Sequence, residues 1–192
     1  SGPLHIEGLR YEDGPLTVKL ATADFDWQPT ALLDRHLNIG RLQFEGLEIH
    51  LPPAQETPPS TGPVVLPEIQ LPLGITVADL QGRNIRIVPA GAEPIQIDAI
   101  DLKAQSTADG LTIETLNIKA PLGEATLSGQ INPTGNYPLK LDLVWQAPLA
   151  GFGAFQGQGV IEGALRDKLT LTHKVTGPAT LELDGEVRRP LG

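Results

Sequence analysis

The stretches Ile95-Gln96-Ile97-Asp98-Ala99-Ile100-Asp101-Leu102 and Leu111-Thr112-Ile113-Glu114-Thr115-Leu116-Asn117-Ile118 place their large apolar residues in one order. Two alternating large apolar positions are followed by a doubled gap without one, and then the alternation resumes. The same order occurs at Leu4-Ile6-Leu9-Tyr11 and at Leu42-Phe44-Leu47-Ile49. A period of two is the signature of a strand with one apolar face. The doubled gap shifts the phase by one residue, which in a flat strand would move the apolar set to the opposite face. A bulge or bend at that point keeps both halves on the same side. Gly8 and Gly46 sit in two of the four gaps, where the backbone must leave the ordinary β region. The pattern predicts long strands that curve midway, with the apolar side concave, in preference to pairs of short strands joined by tight turns.

Simple alternation marks Leu16-Thr17-Val18-Lys19-Leu20, Leu139-Lys140-Leu141-Asp142-Leu143, Leu169-Thr170-Leu171 and Leu181-Glu182-Leu183. Strands are predicted at 16–27, 39–51, 75–80, 84–88, 95–104, 111–120, 125–131, 139–145, 160–165, 169–175 and 179–187. The connections from residue 75 onward are short, which predicts an antiparallel meander. One short helix is predicted over 29–37, from the early Pro29, the Leu33/Leu37 spacing and the basic residues near its end. It would cover one end of the sheet. Residues 52–63 carry five prolines and read as a loop. The chain therefore reads as N-terminal strands plus helix over 1–51, a Pro-rich loop over 52–63, and a continuing repetitive sheet over 64–192, all in a single continuous domain. The fold class is all-β, an elongated and strongly curved antiparallel sheet.

Composition narrows the function. The chain has 192 residues, with 14 Lys and Arg against 23 Asp and Glu, a formal net charge of −9. That balance argues against nucleic acid as a partner, because phosphates require a basic face. Cysteine is absent, so disulfides, thiol nucleophiles and cysteine metal sites are excluded. Twenty-one glycines and 18 prolines punctuate aliphatic segments, and only two Trp, two Tyr and four Phe are present. No apolar run is long enough to span a bilayer as a helix. The Ser1-Gly2 start without Met reads as a piece cut from a longer protein.

Catalytic signals are weak. His5, His36, His50 and His173 are scattered without metal-ligand spacing. Asp24 and Asp26 alternate on one strand face, as Glu45/Glu48 and Asp98/Asp101 nearly do, which reads as a solvated polar face. Gly151-Phe152-Gly153 and Gly157-Gln158-Gly159 lack the Lys-Ser/Thr of a phosphate loop and read as a flexible connection. No Gly-x-Ser-x-Gly occurs. No enzymatic activity, metal or cofactor is expected.

Three segments carry a family resemblance. Trp27, Pro29, Leu32, Leu33, Leu37, Ile39, Leu42, Gly46, Leu47 and Ile49 follow a Trp-x-Pro-x-x-Leu-Leu unit with its succeeding strand. Tyr137-Pro138-Leu139-Lys140-Leu141-Asp142-Leu143-Val144-Trp145 is the second. Residues 157–187, with Thr176-Gly177-Pro178-Ala179 and Leu183-Asp184-Gly185, form the third. Together they resemble the AsmA-like (TamB/AsmA) family of Gram-negative envelope proteins, related to the chorein-type lipid bridges. The resemblance implies an N-terminal periplasmic fragment of a protein anchored in the inner membrane. It implies a β-taco groove that conducts phospholipid between the inner and outer membranes. It also implies a second reading, assembly of outer-membrane proteins or autotransporters with a TamA-type barrel, through parts outside this chain. Strand augmentation would be the means.

Independently of the resemblance, the alternation predicts a repetitive aliphatic face with no catalytic groups on it. Its expected occupants are phospholipid acyl chains. From phase, the expected groove lining is Ile6, Leu9, Tyr11, Val18, Leu20, Leu42, Phe44, Leu47, Ile49, Ile95, Ile97, Ile100, Leu102, Leu111, Ile113, Leu116, Ile118, Leu127, Ile131, Leu139, Leu141 and Leu143.

Overall fold

A computed structural model describes residues 4–52, 74–107, 110–149, 151–188 and 190. Eleven strands form one sheet in chain order: β1 (Leu4–Asp13), β2 (Leu16–Gln28), β3 (His36–Leu51), β4 (Gly74–Pro89), β5 (Ile95–Thr107), β6 (Gly110–Ala120), β7 (Gly123–Ile131), β8 (Pro138–Leu149), β9 (Gly153–Ala164), β10 (Lys168–Thr176) and β11 (Leu181–Arg188). The sheet is all-β, open and curved. Nearly all neighbours are antiparallel, as the short connections require. The exception is β3 with β4, which pair in parallel from His36↔Gly74 to Leu51↔Pro89. Parallel pairing puts the end of β3 and the start of β4 on opposite margins, so a long connection was forced here where an antiparallel pair needs none. The Pro-rich segment expected at 52–63 lies outside the described residues, apart from Pro52.

Three sequence expectations change at the level of elements. The helix expected over 29–37 is a 3-10 helix, Pro29–Asp34. It stops there because Arg35 is left-handed, with φ 54°, and its N–H closes back onto Ala31 and Leu32 carbonyls. The strands expected at 75–80 and 84–88 are one strand, β4, carried through Asn84 by a φ of 54°. The glycine-rich 153–159 segment, expected to be a flexible connection, is the first half of β9.

The phase shift has two structural solutions. At the first, Gly8 (φ 64°), Gly46 (φ 69°) and Asn84 (φ 54°) lie on a line across β1 to β5, with Ala21 between Gly8 and Gly46 and Asp98 beyond Asn84. The register of β1 with β2 is the same on both sides of Gly8, so no residue is inserted. A single left-handed residue turns the strand instead, and glycine or asparagine is what tolerates that conformation. At the second line, residues are inserted. Register shifts occur next to Gly40 in β3, between Val77 and Leu80 in β4, and between Ile113 and Leu116 in β6. The doubled gap of β6 is thus a bulge, whereas those of β1 and β3 are left-handed bends.

No second layer packs on this sheet among the described residues: substantial packing joins ladder neighbours, or β3 and the 3-10 helix. Among the described residues the buried apolar side chains are Ala23, Ile85, Ala104 and Tyr137, and no large side chain is fully buried. Cohesion comes from the ladders and from cross-strand side-chain pairs, each contributing about 0.2–1 kcal/mol.

Candidate functional site

Paired residues in a ladder point to the same side, so the registers define rows that cross the strands. One row runs Ile6–Ala23–Phe44–Gly82–Ile100–Ile118–Ala125–Trp145–Gly157–Val175–Leu181 across the whole sheet. Two residues away in β1 lies Leu4–Phe25–Leu42–Leu80–Leu102–Leu116–Leu127–Leu143–Gly159–His173–Leu183. A third row is Trp27–Ile39–Val77–Ala104–Ile113–Gly129–Leu141–Ile161–Leu171–Gly185. A fourth joins Leu111–Ile131–Leu139 to Gly163 and Leu169. Beyond the left-handed line, Leu9–Leu20–Leu47 and Tyr11–Val18–Ile49–Ile87–Ile95 form short rows, and Ile97 faces Ile85.

Each residue expected from phase falls in one of these rows. Phase alone missed Phe25, Trp27, Leu80, Trp145, Ile161, Leu171 and His173, which stand in the same rows. Trp145 and His173 are the instructive misses. The period-two signal that selects Leu139, Leu141 and Leu143 continues to Trp145, and it reaches His173 through Leu169 and Leu171. Extending the alternation by one step would have found both.

These side chains are half-exposed rather than sealed. Ile97, Ile113, Leu127 and Leu141 are intermediate in exposure, and at the sheet edges Leu4, Leu9, Tyr11, Leu181 and Leu183 are exposed. Contiguous apolar surface left open to water in this way is the usual mark of a docking or ligand-binding face.

The aromatic rings on this face lie against glycines of the neighbouring strand. A Cβ added at Gly82 would run into the Phe44 ring, and one added at Gly157 would run into the Trp145 indole. His173 covers Gly159 in the same way. Trp145 Nε1 donates to His173 Nε2 at 3.2 Å, and the two rings are nearly parallel, at 10°, with centroids 6.1 Å apart. This contact ties β8 to β10 across the glycines of β9.

The opposite face carries the charge. Lys19 Nζ donates to Glu48 at 3.0 Å, His50 Nε2 meets Glu48 at 2.6 Å, and Arg86 lies 3.6 Å from it. The hydrogen bonds from His50 and Lys19 hold the Glu48 carboxyl at a pKa of about 2. His5, between Asp24 at 2.7 Å and Glu7 at 3.1 Å, is raised above the usual imidazole range, chiefly by the Asp24 hydrogen bond. Arg83 pairs with Asp101 at 2.9 Å. These pairs lie at the surface, exposed or partly buried, and are individually worth little. Among the described residues, no three His, Asp or Glu side chains are grouped to hold a metal ion. No helix there is long and apolar enough to cross a membrane.

A face of this kind, repeated strand after strand, offers contact area without directed chemistry. The sequence also matches a family model, described as TamB, N-terminal domain, over residues 62–189. No solved structure matches the chain. The matched span covers β4 to β11 entirely and thus most of the apolar rows. The chain belongs to the TamB family, through that family's N-terminal domain.

Proposed function

We propose that the apolar face is a lipid groove, and that the chain is a periplasmic segment of an inner-membrane-anchored bridge passing phospholipid between the two membranes. The observation that carries this reading is the continuity of the rows: apolar positions follow one another from β1 to β11 in register, half-exposed, with no other element packed on them among the described residues. Acyl chains laid on such a face gain about 0.8 kcal/mol per buried CH₂. Equivalent contacts at each strand mean low barriers between successive positions, as passive conduction requires. Head groups stay at the open, wet side. With a net charge of −9, anionic membrane surfaces do not attract this segment by charge, so lipid enters by handover.

A second reading has its own observation. β11 is the last strand of the sheet and its eight residues are all exposed, so among the described residues its outer ladder is unpaired. An edge of that kind accepts a client strand by augmentation. This would serve outer-membrane protein assembly beside a TamA-type barrel.

The test is mass spectrometry of lipid co-purifying with the protein, with Ile113→Asp as comparison. Lipid that is present on the wild type and lost from a folded variant supports the groove. An absence of lipid from the wild type, with capture of client strands that a proline in β11 abolishes, replaces it with the assembly reading.

A further inference from the structure

Two glycines of the apolar face have no backbone reason to be glycine. Gly82 and Gly157 are buried, and neither has a positive φ, unlike Gly8 or Gly46. Both stand in the row that crosses the whole sheet, each directly beside an aromatic partner, Phe44↔Gly82 and Trp145↔Gly157. The atoms a Cβ would strike are the far part of the Phe44 ring and the indole edge of Trp145, not backbone. The missing side chains are therefore filled by rings lying down across the neighbouring strand, an arrangement that covers strand glycines with aromatic surface. At Trp145 the ring is held down further, because its N–H is satisfied by His173, which itself lies over Gly159.

We infer that Gly82 and Gly157 are positioning residues: they keep Phe44 and Trp145 flat, so that the central row stays low and an acyl chain can pass along it. The inference rests on the lipid reading above. Elsewhere in this row the side chains are of aliphatic size, such as Ala23, Ile100, Ile118, Ala125 and Val175. An upright ring would be its tallest obstacle. A methyl group at either glycine has one inexpensive accommodation, which is to tip the ring off the sheet into the space a lipid would use.

The experiment compares Gly82→Ala and Gly157→Ala with the wild type in the full-length protein. Each is exposed to phosphatidylethanolamine–phosphatidylglycerol vesicles carrying a photo-crosslinkable acyl chain, and thermal melts are recorded in parallel. Crosslinking is expected to fall at least tenfold in each glycine variant, with a melting point within a few degrees of the wild type. The double variants Phe44→Ala/Gly82→Ala and Trp145→Ala/Gly157→Ala are expected to recover most of it, because the ring that blocks is gone. Glycine variants that crosslink like the wild type overturn the inference while leaving the groove intact. So do double variants as empty as the singles. Alanine variants that fail to fold, and are not rescued by removing the ring, overturn it as well, since the inference requires the ring to yield. A wild type that takes up no lipid sinks both this inference and the groove.

Discussion

The two halves of the sheet bend differently. From β1 to β6 the ladders are interrupted twice, once by left-handed residues at Gly8, Gly46 and Asn84 and once by inserted residues around Gly40, Ala78 and Glu114. From β7 to β11 the register runs without a shift. The first half also holds the buried Ala23, Ile85 and Ala104, while in the second the buried hydrophobic residue is Tyr137, outside the strands. Where a strand is creased, its apolar side chains are pushed together and some become enclosed. Where it is evenly pleated, they stand side by side and remain half-open. Ladder interruptions and burial are thus concentrated in the first half, and the second is closer to a uniform apolar face.

The largest effect that would test this contrast is a buried charge. Ile85 is 3% exposed and faces Ile97 across the ladder. Ile85→Asp should cost more than about 3 kcal/mol and unfold the first half, because an unpaired carboxylate there loses its water. Leu141→Asp, on the half-exposed second half, should lower the melting point by only a few degrees. Calorimetry on both variants decides it. Equal losses would mean that the second half is sealed as well, and the contrast would fail.

Next comes the crease itself. Gly46 has φ 69°, and a Cβ there would stand 2.8 Å from that of Ala21. Gly46→Val should cost about 2–3 kcal/mol from strain and crowding together. Gly157→Ala in the second half should cost less, about 1–2 kcal/mol, since a ring must move and gives up its hydrogen bond to His173 but no backbone strain is added. Urea midpoints measure the difference, and similar values for the two would remove the distinction between a backbone glycine and a glycine that seats a ring.

Strand pairing was legible wherever the sequence is regular. The alternations at Leu139–Leu143 and Leu169–Leu171 fix β8 and β10 and, through register, the rows they join. The doubled gap announced a bend, but not which kind: Gly8 and Gly46 could be inserted or left-handed, and only the unchanged register separates these. Asn84 escaped notice because left-handed asparagine carries no pattern of its own. Parallel pairing of β3 with β4 was not legible, since it depends on which margin the chain returns to. The glycines of β9 misled for a physical reason. Composition equates glycine with looseness, whereas in β9 the missing side chains are filled from β8 and β10 by Trp145 and His173.

A smaller effect sharpens the account of the crease. Asn84 holds φ 54° and donates to Glu45 at 2.8 Å through Nδ2. Asn84→Ala keeps the strained backbone without asparagine's tolerance of it and should cost about 1 kcal/mol. Asn84→Gly should stay within about 0.5 kcal/mol of the wild type. Chemical denaturation of the pair tests this, and an alanine variant as stable as the glycine one would show that β4 does not need its left-handed residue.

The smallest effect is in the charges of the outer face, and it too differs between the halves. Glu48 in β3 has its folded pKa lowered to about 2 by His50 and Lys19, against an ordinary 4.5. A lowered folded value means that its contribution is full above the ordinary pKa and is lost as pH falls through the interval down to about 2. Glu182 and Glu186 in β11 are lowered in the same sense, by Lys174 and by Arg188 with Lys168. His5 in β1 is raised by Asp24 and Glu7, so its contribution is present below the ordinary 6.5 and lost as pH rises through the raised value. The first half should therefore soften slightly on both sides of neutrality, and the second on the acid side alone. Melting points recorded across pH for the wild type, Glu48→Gln and His5→Gln separate the contributions. Glu48→Gln should flatten the slope between about pH 4.5 and 2, and His5→Gln should remove the shallow decline above the imidazole range. If both variants keep the wild-type profile, these exposed pairs are fully screened, and the halves differ in backbone alone.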